Sequence, residues 1–272
     1  MNTDELKKVV NEKYTEVAQN GTSCCSSDCG CIDDVNFIGQ DYQELKGYFP
    51  EADLGLGCGL PTEYAQINEG DVVVDLGSGA GNDCFVARAK AGPRGKVIGV
   101  DFTAAMIEKA NKNAAYLGYK NVHFIEADLE HIPISDNTAD VVVSNCVMNL
   151  VPDKIAAFNE TFRILKPGGH FSISDVVVEG ELPVVLRESA EMYAGCVSGA
   201  EMKETYLEII KKSGFKNISV QKTSSINLPH EILENVMKPD EIRTFLNSKS
   251  GIYSITVYAE KPSDCCESTC CD

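Results

Sequence analysis

The feature that most constrains the fold of this chain is an apolar run that ends in a glycine loop and then turns helical. Val72-Val-Val-Asp-Leu-Gly-Ser-Gly-Ala-Gly81 has this form, and a helical pattern follows over 83–91. A strand that is apolar at successive positions is buried on both faces, as in a parallel sheet covered by helices. The pattern recurs, with strands predicted at 72–75, 96–101, 122–126, 141–144 and 170–175 and helices at 83–91, 104–117 and 155–165. Alternation of this kind predicts an α/β fold whose sheet is mostly parallel. A helix over 206–213 and strands at 218–222 and 252–259 follow, with part of 182–199 helical. Upstream, Leu6, Val9, Val10, Tyr14 and Val17 fall at helical spacing and predict an amphipathic helix over 4–19. A loop rich in Cys, Ser, Asp and Gly covers 21–39, and a second helix is expected over 42–49, broken by Pro50.

Charge narrows the partners. With 24 Lys and Arg against 41 Asp and Glu, the formal charge of the 272-residue chain is −17. Such a surface repels phosphate backbones and anionic lipid, so neither nucleic acid nor a membrane is expected as a partner. No apolar stretch approaches the roughly 20 residues that span a bilayer, and the opening Met1-Asn-Thr-Asp-Glu-Leu-Lys-Lys lacks the apolar core of a secretory signal. A cytoplasmic location is expected, where the 12 cysteines serve as thiols for metals or redox chemistry, or are simply buried.

The glycine loop does not match a dinucleotide site. After Gly77 and Gly79, the G-x-G-x-x-G register requires Gly or Ala where Asn82 stands, and the acid Asp75 precedes the glycines. An acid there suits a cofactor that carries an ammonium group. Asp101, 26 residues on at the end of the next strand, is placed to accept bonds from both ribose hydroxyls. Asp128-Leu129 follows the third strand and can read an adenine edge. Together these acids, at the ends of successive strands, point to S-adenosylmethionine.

The cysteines fall into two kinds. Cys24, Cys25, Cys29 and Cys31, and then Cys265, Cys266, Cys270 and Cys271, form dense clusters near the ends, whereas Cys58, Cys84, Cys146 and Cys196 are single. Cys146 ends the strand-like Val141-Val-Val-Ser-Asn-Cys146, Cys58 lies in the pliable Gly55-Leu-Gly-Cys-Gly59, and Cys196 sits between Gly195 and Gly199. Three thiolates converging on a methyl donor would suit a soft trivalent centre. Their wide spacing excludes a sequence-local zinc knuckle. Cys84, among apolar neighbours, is read as core. None of the four histidines is given a catalytic role.

From about residue 45 to 260 the chain resembles the class I S-adenosylmethionine-dependent methyltransferases. The resemblance rests on Val-Asp75-Leu-Gly77-Ser78-Gly79-Ala-Gly81, on Gly-Val-Asp101-Phe102-Thr-x-x-Met106, and on Leu-Lys-Pro-Gly-Gly169. It implies a Rossmann-like sheet with an antiparallel last strand. Ser-Asn145-Cys146-Val-Met-Asn-Leu-Val-Pro-Asp-Lys154, Gly-Leu-Gly-Cys58-Gly and Tyr-Ala-Gly-Cys196-Val-Ser-Gly-Ala are more specific and resemble segments of the arsenite methyltransferases. That resemblance implies Cys58, Cys146 and Cys196 as ligands of trivalent arsenic beside the sulfonium methyl. It further implies cofactor contacts from Asp75, Gly77, Ser78, Gly79, Gly81, Asp101, Phe102, Met106, Asp128, Leu129 and Asn145. An N-terminal thiol, Cys24 or Cys25, would pair with the first arsenic ligand during reduction. Arsenite or its thiol conjugates would be the substrate, with a thiol reductant of glutathione or thioredoxin type. Some family members carry an acid directly before the third cysteine, and here Gly195 stands there.

The expected organisation is an N-terminal helix and Cys-rich loop (1–45), a cofactor-binding core (46–180), a C-terminal substrate-binding region that completes the sheet (181–261) and a disordered Cys-rich tail (262–272). Two rival readings remain at this level: a methyltransferase for a small organic acceptor, and a metalloid-binding protein on an inactive scaffold. The first predicts that Cys146→Ser is harmless. The second predicts arsenite binding without methylated product.

Overall fold

The computed structural model describes residues 3–20, 41–188, 199–228, 230–248 and 250–263. Five parallel strands form its centre: β1 (Val72–Leu76), β2 (Lys96–Asp101), β3 (Val122–Glu126), β4 (Ala139–Asn145) and β5 (Leu165–Glu179). A two-residue strand, β6 (Glu201–Met202), pairs with the far end of β5, and β7 (Lys216–Ile226) and β8 (Gly251–Glu260) follow. The order across the sheet is β3-β2-β1-β4-β5-β8-β7. β8 enters antiparallel between β5 and β7, so the expected antiparallel last strand is present and is interior to the sheet.

The helices are α1 (Thr3–Asn20), α2 (Pro61–Tyr64), α3 (Asn82–Ala91), α4 (Ala104–Tyr116), α5 (Lys154–Ile164), α6 (Val184–Glu188), α7 (Lys203–Lys212), α8 (His230–Val236) and α9 (Pro239–Leu246). Apolar residues on both faces of the sheet are wholly buried. Val74, Leu76, Val142, Phe158 and Phe171 pack on one side, and Val73, Phe85, Val97 and Val141 on the other. This two-sided burial is why β1 and β4 read as uninterrupted valine runs.

The helix expected over 42–49 does not form. The segment is a string of turns, closed by Leu45 N–H to Tyr42 O and Tyr48 N–H to Leu45 O. Gly47 at φ +99° interrupts any helix there, and Pro50 opens a short 3₁₀ turn (Pro50–Ala52) instead of closing a helix. Of the segment 182–199, α6 is helical, and 189–198 lies outside the described residues.

Strand order reverses between β1 and β4, the position at which open α/β sheets hold their ligands. Ser144 Oγ–H donates to Leu76 O (2.8 Å) and locks the carboxyl ends of those two strands together.

Candidate active site

A cleft of about 1080 Å³, counted out to its open mouth, lies over the carboxyl ends of β1, β2 and β4. Asp75, Gly77, Ser78 and Gly79 after β1, Asp101 and Phe102 after β2, Asp128 and Leu129 after β3, and Asn145 and Cys146 after β4 all line it.

Asn145 organises the thiol end. Its Oδ1 accepts the backbone N–H groups of Cys58 (3.1 Å) and Gly59 (3.2 Å), and its amide donates to Gly59 O (2.8 Å). The loop carrying Cys58 is thereby tied to the residue before Cys146, across 87 positions of sequence. Ser254 Oγ–H on β8 donates to Cys58 O (2.6 Å) and fixes the loop from the other side. Both thiols are buried, at 1% and 3% exposure, and belong to one apolar cluster with Val10, Leu150 and Val176. Cys146 is left-handed, at φ +62°. That conformation costs a non-glycine residue about 1–2 kcal/mol and concentrates at functional positions.

Three buried acids line the same cleft. Burial raises the Asp75 carboxyl well above the usual range, and repulsion from Asp83 raises it further, against a bond from the Cys84 thiol. Burial pushes Asp83 up to about 6, opposed by donation from Tyr42 O–H and the Asn145 amide. Asp101 is raised by burial, against backbone N–H bonds from Thr103 (2.8 Å) and Gly79 (2.9 Å). Cys84 is wholly buried core, as read, but its thiol donates to Asp75 Oδ2 at 3.2 Å.

These residues fit S-adenosylmethionine. Three buried side-chain oxygens of the cleft have no hydrogen-bond partner: Ser78 Oγ, Asn82 Oδ1 and Asp83 Oδ1. Buried polar groups are normally satisfied, so this set is matched to a ligand that donates. A Cβ on Gly79, at φ +51°, would meet nothing within 4 Å, which leaves the backbone open to close approach. The two acceptors and the acids call for a cationic ligand, and a sulfonium amino acid supplies two positive charges.

α1 covers the cleft, with Lys7, Val10 and Tyr14 in its lining. Lys7 Nζ bridges Asp128 Oδ2 (2.5 Å) and Glu130 Oε2 (2.7 Å), and Asn11 Nδ2 donates to Phe102 O (3.5 Å). Burial alone would lower the Lys7 ammonium; the bonds and charges of the two acids outweigh it and raise it. A partly exposed pair of this kind contributes roughly 0.2–1 kcal/mol and weakens with salt. Lys7→Met is therefore expected to release bound cofactor up to about 5-fold faster and to flatten the salt dependence of release, measured by stopped-flow displacement of S-adenosylhomocysteine.

Of the sequence-predicted residues, Asp75, Gly77, Ser78, Gly79, Asp101, Phe102, Asp128, Leu129, Asn145 and Cys146 line the cleft. Cys58 adjoins it through Gly57 and Asn145. Gly81 stands behind it as the left-handed N-cap of α3, and Met106 is buried in the core beneath. Cys24, Cys25 and Cys196, and the tail thiols, lie outside the described residues. Sequence reasoning missed Tyr42, Asp83 and Lys7. Only Asp83 had a signal, as an acid in the first turn of the helix after the glycine loop.

Sheet order and cleft together define a class I methyltransferase. The chain matches the family model described as "Methyltransferase domain" over residues 67–214. It is 39% identical over 230 residues to an arsenite methyltransferase of Halobacterium salinarum, covering 80% of this chain and 59% of that one. It is 32% identical to the human arsenite methyltransferase, over 91% of this chain and 69% of that one. A crystal structure of an arsenic(III) S-adenosylmethionine methyltransferase from Chlamydomonas reinhardtii superimposes with a TM-score of 0.64 at 33% identity, over 77% of this chain and 68% of that one. The chain belongs to the arsenite methyltransferase family. It spans between 59% and 69% of the length of these relatives.

Proposed function

We propose that this protein transfers methyl groups from S-adenosylmethionine to trivalent arsenic held by its own thiolates. The observation that carries the reading is the Asn145 clamp, which sets Cys58 beside the residue preceding Cys146, with Cys146 in the lining of the cofactor cleft. Cys196 is the third ligand by resemblance. Thiolates select soft ions, and coordination removes the thiol proton outright. Asp75, Asp83 and the open backbone at Gly79 hold the amino-acid end of the cofactor, Asp101 the ribose and Asp128 the adenine.

The cofactor supplies an electrophilic methyl group. Arsenic bound by three sulfurs keeps a lone pair opposite them. That pair forms the As–C bond as the S–CH₃ bond breaks toward sulfur, so no general base is required. Arsenic loses two electrons in this step. Two thiols restore them as they join in a disulfide, with Cys24 or Cys25 as one partner and an external thiol of glutathione or thioredoxin type as the final donor. Placement of the lone pair against the methyl group can lower the barrier by about 7–11 kcal/mol.

The test is an incubation of purified protein with arsenite, labelled S-adenosylmethionine and a thiol, with products separated by chromatography and arsenic detection. Label in methylated arsenic is expected. Cofactor binding without any methylated arsenic would move the search to organic acceptors.

The acids give a pH signature. Asp83 sits at about 6 in the fold against an ordinary 3.8. The cofactor-free protein thus loses stability as pH rises from about 4 to 6, a cost on the order of 3 kcal/mol. A cation in the cleft favours the ionised acid, so cofactor affinity runs the other way. Calorimetry is expected to show S-adenosylmethionine binding weakening several-fold between pH 7.5 and 5.5, and Asp83→Asn is expected to reduce that dependence, with the buried Asp75 carrying the remainder.

A further inference from the structure

The loop that carries Cys146 from β4 to α5 is held from below by a buried polar cluster that the proposed chemistry does not use. Asp175, on β5, is wholly buried. Its Oδ1 accepts Val176 N–H (2.9 Å), its Oδ2 accepts Tyr206 O–H (3.2 Å), and the backbone N–H of Asn149 also donates to the carboxylate. Asn149 returns to the same strand through Nδ2, which donates to Val176 O (2.5 Å). Lys154, at 9% exposure, sends Nζ to Asn149 O (3.4 Å) and Val151 O (3.3 Å). The loop is therefore pinned at 149 from both its N–H and its carbonyl sides, and at 151 through its carbonyl. Cys146 N–H, donating to Ser174 O (2.8 Å), pins its start.

Desolvating a carboxylate, a phenol and an ammonium costs several kcal/mol per charge, and an apolar cluster would fill the space with less penalty. Burial accordingly pushes the Asp175 carboxyl up to about 7, against the charge of Lys154 and the three donors. What the cluster supplies is rigidity at a strained point, because the left-handed turn at Cys146 relaxes unless its surroundings over-determine it. Ser174, whose carbonyl accepts Cys146 N–H, directly precedes Asp175 on β5, so the cluster adjoins the strand position that anchors the thiol loop.

We infer that Asp175 is a positioning residue for arsenic capture, acting with Tyr206, Lys154 and Asn149 through the Cys146 loop. The inference rests on the arsenic-binding reading above, and it goes beyond that reading in giving the thiols a dedicated brace. Asp175 touches neither arsenic nor cofactor; it fixes the direction of the Cys146 thiol.

The test compares wild type with Asp175→Asn, which keeps the shape and removes the charge and one acceptor, and with Tyr206→Phe, which removes one donor. Arsenite affinity is read from the arsenic–thiolate ultraviolet absorbance, and S-adenosylmethionine affinity by calorimetry. Alkylation of Cys146 by iodoacetamide is mapped by mass spectrometry, with buried Cys84 as internal reference. Asp175→Asn is expected to weaken arsenite binding by up to about 10²-fold, as for a misplacement of roughly 1 Å. It is also expected to change the Cys146 alkylation rate, with Cys84 unmoved and cofactor affinity altered far less than arsenite affinity. Tyr206→Phe is expected to do the same more weakly. Parallel gains in Cys84 and Cys146 alkylation, with cofactor affinity lost as well, would show general loosening and overturn the inference. So would unchanged arsenite binding and Cys146 reactivity. A wild type that binds no arsenite, while its Cys146 reactivity still depends on Asp175, would defeat the arsenic reading and leave the brace standing.

Discussion

Serine in place of Cys146 is expected to reduce arsenite methylation by at least about 100-fold while S-adenosylmethionine binds as before, and serine in place of Cys58 to do the same. The two thiols are buried in one apolar cluster, and a hydroxyl is a hard donor that does not ionise in such a place. Arsenic held by one thiolate fewer is both weakly bound and free to turn its lone pair away from the methyl group. The fold should survive, because the Asn145 bonds to the 58–59 backbone involve neither sulfur as an essential partner. Cys84→Ser is the contrasting variant. Its hydroxyl can still donate to Asp75 Oδ2, so methylation should persist with a modest change in cofactor affinity. Single-turnover assays with labelled cofactor separate these outcomes. Retained turnover in Cys146→Ser would return the chain to the organic-acceptor reading.

The parts of this site visible in sequence are those encoded locally. Valine runs at 72–74 and 141–143 announce doubly covered strands, and an acid followed by spaced glycines announces a cofactor loop, because a few consecutive residues decide each. Asn145 shows the limit. In sequence it is only the residue before a cysteine; its function depends on where residues 58 and 59 arrive, 87 and 86 positions away. Tyr42 was equally opaque. Its segment has the pattern of a helix, whereas the phenol is drawn down to Asp83 (2.8 Å) and Gly59 O (3.1 Å) beside the Asn145 amide. The gain from satisfying those buried groups outweighs local propensity. Lys7 is similar, an ordinary charge on an amphipathic helix until the fold brings it against Asp128 and Glu130, more than a hundred residues on.

Gly77→Ala is expected to damage both ligand sites at once. A Cβ on Gly77 would lie 2.2 Å from Val147 Cγ2 and 2.6 Å from Cγ1. Val147 follows Cys146 directly, so the cofactor loop and the thiol loop meet at this point without room for a methyl group. Two costs add. Residue 77 is at φ +71°, which charges alanine about 1–2 kcal/mol, and overpacking adds about 1–3 kcal/mol. The backbone can relieve the clash only by moving the glycine loop off the cofactor or by swinging Val147, and Cys146 with it, away from the cleft. Calorimetry is expected to show weaker binding of both S-adenosylmethionine and arsenite. Gly79→Ala separates the two effects, since its Cβ meets no protein atom within 4 Å; only cofactor affinity should suffer. Adding Val147→Ala to Gly77→Ala removes the collision but leaves the left-handed strain, so arsenite binding should recover further than cofactor binding does. If Gly77→Ala weakened cofactor binding alone, the contact between Gly77 and Val147 would not couple the two sites, and the thiol loop would be positioned from β5 and the Asn145 clamp without help from the cofactor loop.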